Sequence, residues 1–253
     1  MRLTKPYCRI IRPFDDGGDD LGFWYPWSYS YDYVLERRYA EDRQELSRAY
    51  KLIEKDLLRL FEYVEPTDDN LKTYSHRTYE LLLRAATEFE TNCKRILESN
   101  EYEKNGNLTI KDYFKINESS KLEEYRVSLT AWYPEKKELS PFREWAGGCH
   151  SLSWYRSYNN VKHDRNRNFR EASLENVLCA IGGLRVVLFS QFFAFLGPPE
   201  QEPAESDDGK TFRMSGDIFE VTPPTTWTHD EVYDFEWENI IDEPKPFARF
   251  DFR

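Results

Sequence analysis

The stretch SLENVLCAIGGLRVVLFSQFFAFL, residues 173–196, decides the fold. It predicts a helix with apolar side chains on nearly every face, and a helix apolar all round belongs at the centre of a bundle. The run is about long enough to cross a bilayer, but Arg185, Gln191 and the Gly182-Gly183 pair within it argue for a core helix, with no membrane association.

Working outward, the chain before this run is mostly helical in pattern. Leu46, Tyr50, Ile53, Leu57, Leu60 and Val64 fall three or four apart, which predicts a long amphipathic helix over residues 33–64, ended by Pro66. Tyr79, Leu82, Ala86, Phe89, Cys93 and Ile96 form one stripe of a second helix over 71–98, and the short connection places it antiparallel to the first. The Thr109 and Asp112 spacing resembles a capping box, and alternation from Tyr125 to Ala131 predicts one strand. Residues 134–150 read as loop. Helix returns at about Ser151, with a break near Asn166 to Asn168. The expected architecture is mainly α: an antiparallel helical bundle over 33–197. Residues 1–32 form an aromatic-rich extension, with a strand at Tyr7 to Ile11, an acidic glycine turn at 15–20 and an aromatic lid at 23–33. Residues 198–253 form a Pro-rich appendage after a polar linker, with short strands at 218–221, 232–237 and 247–252.

The 253 residues carry a net charge of −11, which alone would argue against nucleic acid as a partner. Resolved by segment, residues 198–253 hold 15 acidic and 5 basic side chains, leaving 31 acidic and 30 basic in the rest. Inside that neutral body, Arg156 to Arg170 holds five basic residues against the single acid Asp164. Cys8, Cys93, Cys149 and Cys179 are widely separated and read as reduced thiols of a cytoplasmic protein, and the N-terminal residues lack the apolar run of a signal peptide. Cys149 beside His150 is not read as a nucleophile and its base, because neighbours on a loop rarely face each other. His76 and His229 are isolated and read as structural or surface residues.

The chemistry concentrates in WYRSYNNVKHDRNRNFREA, residues 154–172. On an α-helix, residues seven apart return to within about 20° of one another, so Arg156 and His163 share a face, with Asn159 and Asn160 on the turns between. Lys162 and Arg165 flank the stripe, and Arg167 and Arg170 extend it if the helix continues. An imidazole titrating near neutrality can move the proton of a ribose 2′-hydroxyl or of a leaving oxygen, and a guanidinium can hold the phosphate as its charge grows. The surrounding cations supply phosphate attraction. No carboxylate cluster at metal spacing and no phosphate-cradling glycine motif accompanies them, so neither a metal nor another cofactor is expected.

Arg156, six intervening residues and His163 match the Arg-x(4–6)-His motif, and over about residues 33–196 the chain resembles the HEPN-domain superfamily. That resemblance implies a helical bundle, a homodimer in which motifs of two protomers meet, and a metal-independent endoribonuclease of bacterial toxin or antiphage defence systems, where a protein partner can also occur. It assigns phosphate binding to Arg156 and proton transfer to His163; from the stripe and its charge, Asn159, Asn160, Lys162, Arg165, Arg167 and Arg170 are expected to bind substrate RNA. The alternative is a non-catalytic module that binds a protein or nucleic acid through the same basic helix. The C-terminal segment reads first as a β appendage that covers core surface; the alternative is that its acids lie over the basic helix of its own or a neighbouring protomer, so that deleting 200–253 raises RNA affinity at low salt.

Overall fold

A computed structural model describes residues 3–15, 29–193, 196, 204–205, 212–213 and 217–253. The acidic glycine turn beyond Asp15, most of the aromatic cluster before Tyr29 and most of the polar linker lie outside the described residues.

The protein is mainly α. Helices α1 (Arg43–Phe61) and α2 (His76–Ser99) lie antiparallel, with Asp56 of α1 bridged to Arg84 of α2, and both pack on α7 (Leu174–Phe192). In α7, the run apolar on nearly every face, sixteen of nineteen residues are buried, and the helix is long and apolar enough to cross a membrane yet 83% buried within the protein. The helix α1 starts at Arg43 rather than Tyr33. Tyr29–Leu35 forms a 3-10 turn whose Tyr31 and Tyr33 are drawn into the core, and the carboxylate of Asp42 is held by Arg9 and Arg95 instead of being left to the chain before it. The helix α2 begins at the reciprocal cap of Ser75 and Thr78.

Short helices α3 (Ile110–Phe114) and α4 (Ile116–Ser120) follow, α3 opened by the expected Thr109 and Asp112 box. The predicted strand is β1 (Arg126–Leu129), and the stretch read as loop contains β2 (Lys137–Leu139) and a 3-10 turn, Arg143–Gly147. Three further strands, β3 (Ala204–Glu205), β4 (Phe212–Arg213) and β5 (Phe219–Thr222), complete an antiparallel sheet ordered β2-β1-β5-β4-β3. Val127 and Leu129 of β1 point inward onto α7, and there the glycine pair has its reason. A Cβ on Gly182 would stand 2.9 Å from Val127 Cγ2, and one on Gly183 would stand 3.3 Å from Trp154.

The acidic C-terminal segment is therefore continuous with the core, since β5 pairs along β1 and buries Phe219 and Val221. Beyond it the expected strands at 232–237 and 247–252 are instead extended straps that run beside the N-terminal residues through isolated parallel bridges, Leu3 with Tyr233 and Tyr7 with Ala248. The short helix α8 (Trp237–Ile240) lies between them. The strand expected at Tyr7 to Ile11 is likewise a strap, interrupted where Arg9 adopts φ 57°. Arg12 fastens the two straps: it is buried among Tyr7, Trp227 and Phe250 and donates to the carbonyls of Ser119 and Glu231.

Candidate functional site

The basic segment folds as α5 (Ser153–His163), α6 (Arg165–Asn168) and a 3-10 turn, Phe169–Glu171. At the start of α5 the Glu144 carboxylate accepts from the Ser153 amide and hydroxyl, both at 2.6 Å, which places negative charge at the positive end of the helix. One side of α5 is sunk in the core. Trp154 donates to the Pro141 carbonyl and packs 5.1 Å from Phe89, and Tyr158 and Val161 are buried. Tyr155 donates to Glu90 at 2.6 Å, and burial followed by that carboxylate pushes its phenol pKa up.

The other side faces solvent and carries Arg156 and His163, both exposed and about 10 Å apart along the axis at 1.5 Å per residue. Side chains of a helix all lean toward its N-terminus, so both lean the same way and the two stand in register along one face. Among the described residues neither makes a side-chain hydrogen bond or ion pair, which leaves the guanidinium and the imidazole available to a ligand.

The neighbours differ from this pair. The Asn159 amide donates back to the Tyr155 carbonyl at 3.0 Å, and the Asn160 amide donates to Glu171 at 2.9 Å while its carbonyl accepts from Asn168. One amide donor of each asparagine thus braces the fold. Lys162 donates to the Tyr158 hydroxyl at 2.8 Å and lies 4.9 Å from that ring, and this hydrogen bond raises its pKa and keeps it charged.

The helix breaks at Asp164, earlier than the expected Asn166 to Asn168, because the Asp164 carboxylate accepts from the Arg167 amide and caps a new helix. Arg167 and Arg170 therefore do not extend the α5 stripe. With Arg165 they gather around its C-terminal end, where cations oppose the negative end of the dipole. Arg167 is also ion-paired with Asp164 at 3.5 Å, whereas Arg165 lies over the Tyr79 ring and Arg170 is exposed.

His76, read as a structural or surface residue, stands exposed in the first turn of α2, its ring 5.0 Å from Phe169, with Tyr74 5.4 Å and Tyr79 6.3 Å from the same ring.

Elsewhere, a groove of about 620 Å³ lies between the end of α1 and the start of α2, and its arginines are tied to Asp56 and Glu80. Neither Arg156 nor His163 lines it. His150 faces the Gly147 carbonyl at 3.1 Å, and all four cysteines are free. Among the described residues no group of three or more His, Cys, Asp or Glu side chains is placed to hold a metal ion. The acids of the C-terminal segment pair with Lys5, Lys51, Lys121, Lys136 and Arg185, and among the described residues none pairs with the basic segment. Among the described residues that segment makes no cover over the basic helix of its own chain, and its β5 packs in the sheet instead.

Comparison with models of known protein families, with curated proteins and with solved structures finds no match.

Proposed function

We propose that this protein binds RNA through the exposed face of α5 and cleaves it without a metal. His163 acts in proton transfer at the ribose 2′-hydroxyl or the leaving oxygen, and Arg156 holds the phosphate. The observation that carries the reading is that these two side chains share one stripe of α5, face solvent and have no side-chain partner among the described residues, while the asparagines beside them are braced. A 2′-hydroxyl attacking its own phosphate displaces the 5′-oxygen of the next nucleotide and leaves a 2′,3′-cyclic phosphate, which needs one proton removed and one returned; a single imidazole near neutrality can do either. The face is open to water in one chain, so the reading includes a second copy whose α5 closes over the same phosphate and strengthens both interactions by excluding water.

A second reading, binding without cleavage, draws on the same openness and on the braced asparagines, which leave fewer groups to orient a substrate. One experiment separates the two. Purified protein incubated with unstructured RNA in EDTA is expected to yield 2′,3′-cyclic phosphate ends, and Arg156→Ala and His163→Ala are each expected to lose on the order of 100-fold or more in rate. Both side chains are exposed, so Tm should barely move. Cleavage by both variants at the wild-type rate refutes the assignment, and wild-type binding without any cleavage selects the second reading.

A further inference from the structure

We propose that Tyr74 and His76, backed by Phe169 and with Arg165 at the edge, form a nucleobase subsite next to the Arg156 and His163 pair, so that the RNA taken by this surface is unpaired. The inference rests on the reading of α5 as an RNA-binding face and specifies its substrate.

Non-specific single-strand binding sites combine cations that follow the backbone with aromatic faces on which bases stack. Both occur here. Phe169 is half-buried and contacts three rings, of which His76 is exposed, tilted 45° to it, and Tyr74 is 39% exposed and edge-on at 85°. Nearby acids are each engaged: Asp164 with Arg167, Glu171 with Asn160, Glu175 with Lys72 at 2.5 Å, and Glu80 with Arg77 at 3.0 Å. Arg165 and Arg170 remain as the cations without an acidic partner among the described residues.

The platform is held by rigid elements. The reciprocal cap of Ser75 and Thr78 fixes His76 in the first turn of α2. Tyr74 is pinned by its bridge to Ser173 and by the Leu174 amide, which donates to the Thr73 carbonyl at 2.8 Å. Such preorganisation lowers the ordering cost of binding. The turn that carries Phe169 is tied to α5, since Asn160, three residues before His163, donates to Glu171 at 2.9 Å and its backbone carbonyl accepts from Asn168 at 3.0 Å. A base can lie flat on Tyr74 or His76 only if it has left its stack, whereas bases of an A-form duplex are closed to such contact.

The test measures binding of a labelled 2′-O-methyl oligouridylate, which has no free 2′-hydroxyl to react, and of a 2′-O-methyl hairpin duplex. Tyr74→Ala and His76→Ala change exposed side chains and spare the half-buried Phe169; each is expected to weaken single-strand binding about tenfold, with Tm, salt dependence and duplex binding unchanged. Wild-type binding that both variants reproduce, or an equal loss on the duplex, overturns the subsite while leaving the RNA reading standing. A wild-type protein that binds neither RNA overturns both.

Discussion

The proposed RNA-binding role of the α5 and α6 surface has one direct quantitative consequence, the salt dependence of the affinity. Arg156, Arg165 and Arg170 have no acidic partner among the described residues, Arg167 shares its charge with Asp164 at 3.5 Å, and Lys162 stays charged while donating to Tyr158. The number of phosphates neutralised by one chain therefore lies between about three and five. Each such contact on a single strand contributes about −0.7 to the slope of log affinity against log salt, giving an expected slope between about −2 and −3.5. Between 50 and 200 mM salt the Kd then weakens by roughly 20-fold to 130-fold. Substituting Arg156, Arg165 or Arg170 by Gln should each flatten the slope by about 0.7, whereas Asn159→Ala should leave it unchanged, because that amide already donates to the Tyr155 carbonyl. Fluorescence anisotropy with the non-cleavable oligouridylate at fixed pH reads all of these. A wild-type slope shallower than about −1, or a slope that the combined Arg156 and Arg170 substitution leaves untouched, refutes the assignment of this surface.

Two further predictions concern the scaffold. Burial alone would raise the pKa of Asp112, but Lys104, the Thr109 amide and hydroxyl and the Tyr102 hydroxyl all donate to it at 2.6 to 2.9 Å and hold it at about 2 against an ordinary 3.8. A depressed carboxylate pKa stabilises the fold above pH 3.8, and that contribution fades as pH falls toward 2, so Asp112→Asn should cost about 2 kcal/mol near neutrality. In urea unfolding the gap between wild type and variant should close between pH 4 and 2, and a gap constant over that window is the contrary result. Removing residues 217–253 takes β5 out of the sheet and deprives the fully buried Arg185 of Asp217, a loss of about 3 to 5 kcal/mol from the uncompensated charge alone. The truncated chain should lack a cooperative thermal transition; a folded truncation would show that this segment is dispensable to the core.

That last point bears on what the sequence could disclose. The local periodicities located α1, α2, α5 and α7, because each buries a stripe or a whole cylinder against neighbours, and the 109–112 cap is a local signal in its own right. The late start of α1 was not legible: Tyr31 and Tyr33 have helix-compatible spacing, but the contacts that take them out of a helix, Phe193 for Tyr31 and Trp237 for Tyr33, come from far along the chain. The same holds for the straps at 232–237 and 247–252. Their aromatic alternation looks like strand, yet it is satisfied by rings meeting rings, such as Tyr7 with Phe250 at 5.3 Å, rather than by a ladder of backbone bonds. In the site, residue spacing sufficed for Arg156 and His163 because seven residues of helix bring them to one face. For Arg167 and Arg170 it depended on the helix continuing, and the helix ends sooner than the spacing indicates because Asp164, three residues before Arg167, caps a new one.

The charge arithmetic was informative by segment and incomplete in space. Residues 1–197 hold nearly equal numbers of acids and bases, which on its own predicts no patch of either sign. Pairing breaks that balance. The acids of the C-terminal segment take up Lys5, Lys51, Lys121, Lys136 and Arg185, all cations of the body that lie away from α5. Among the described residues Arg156, Arg165 and Arg170 have no acidic partner, and neither do the exposed Arg48, Lys55, Lys111 and Arg143 elsewhere on the body. The paired acids of that segment, among the described residues, therefore lie away from the surface that exposes His163 and His76, so the net charge of −11 does not by itself exclude an anion there.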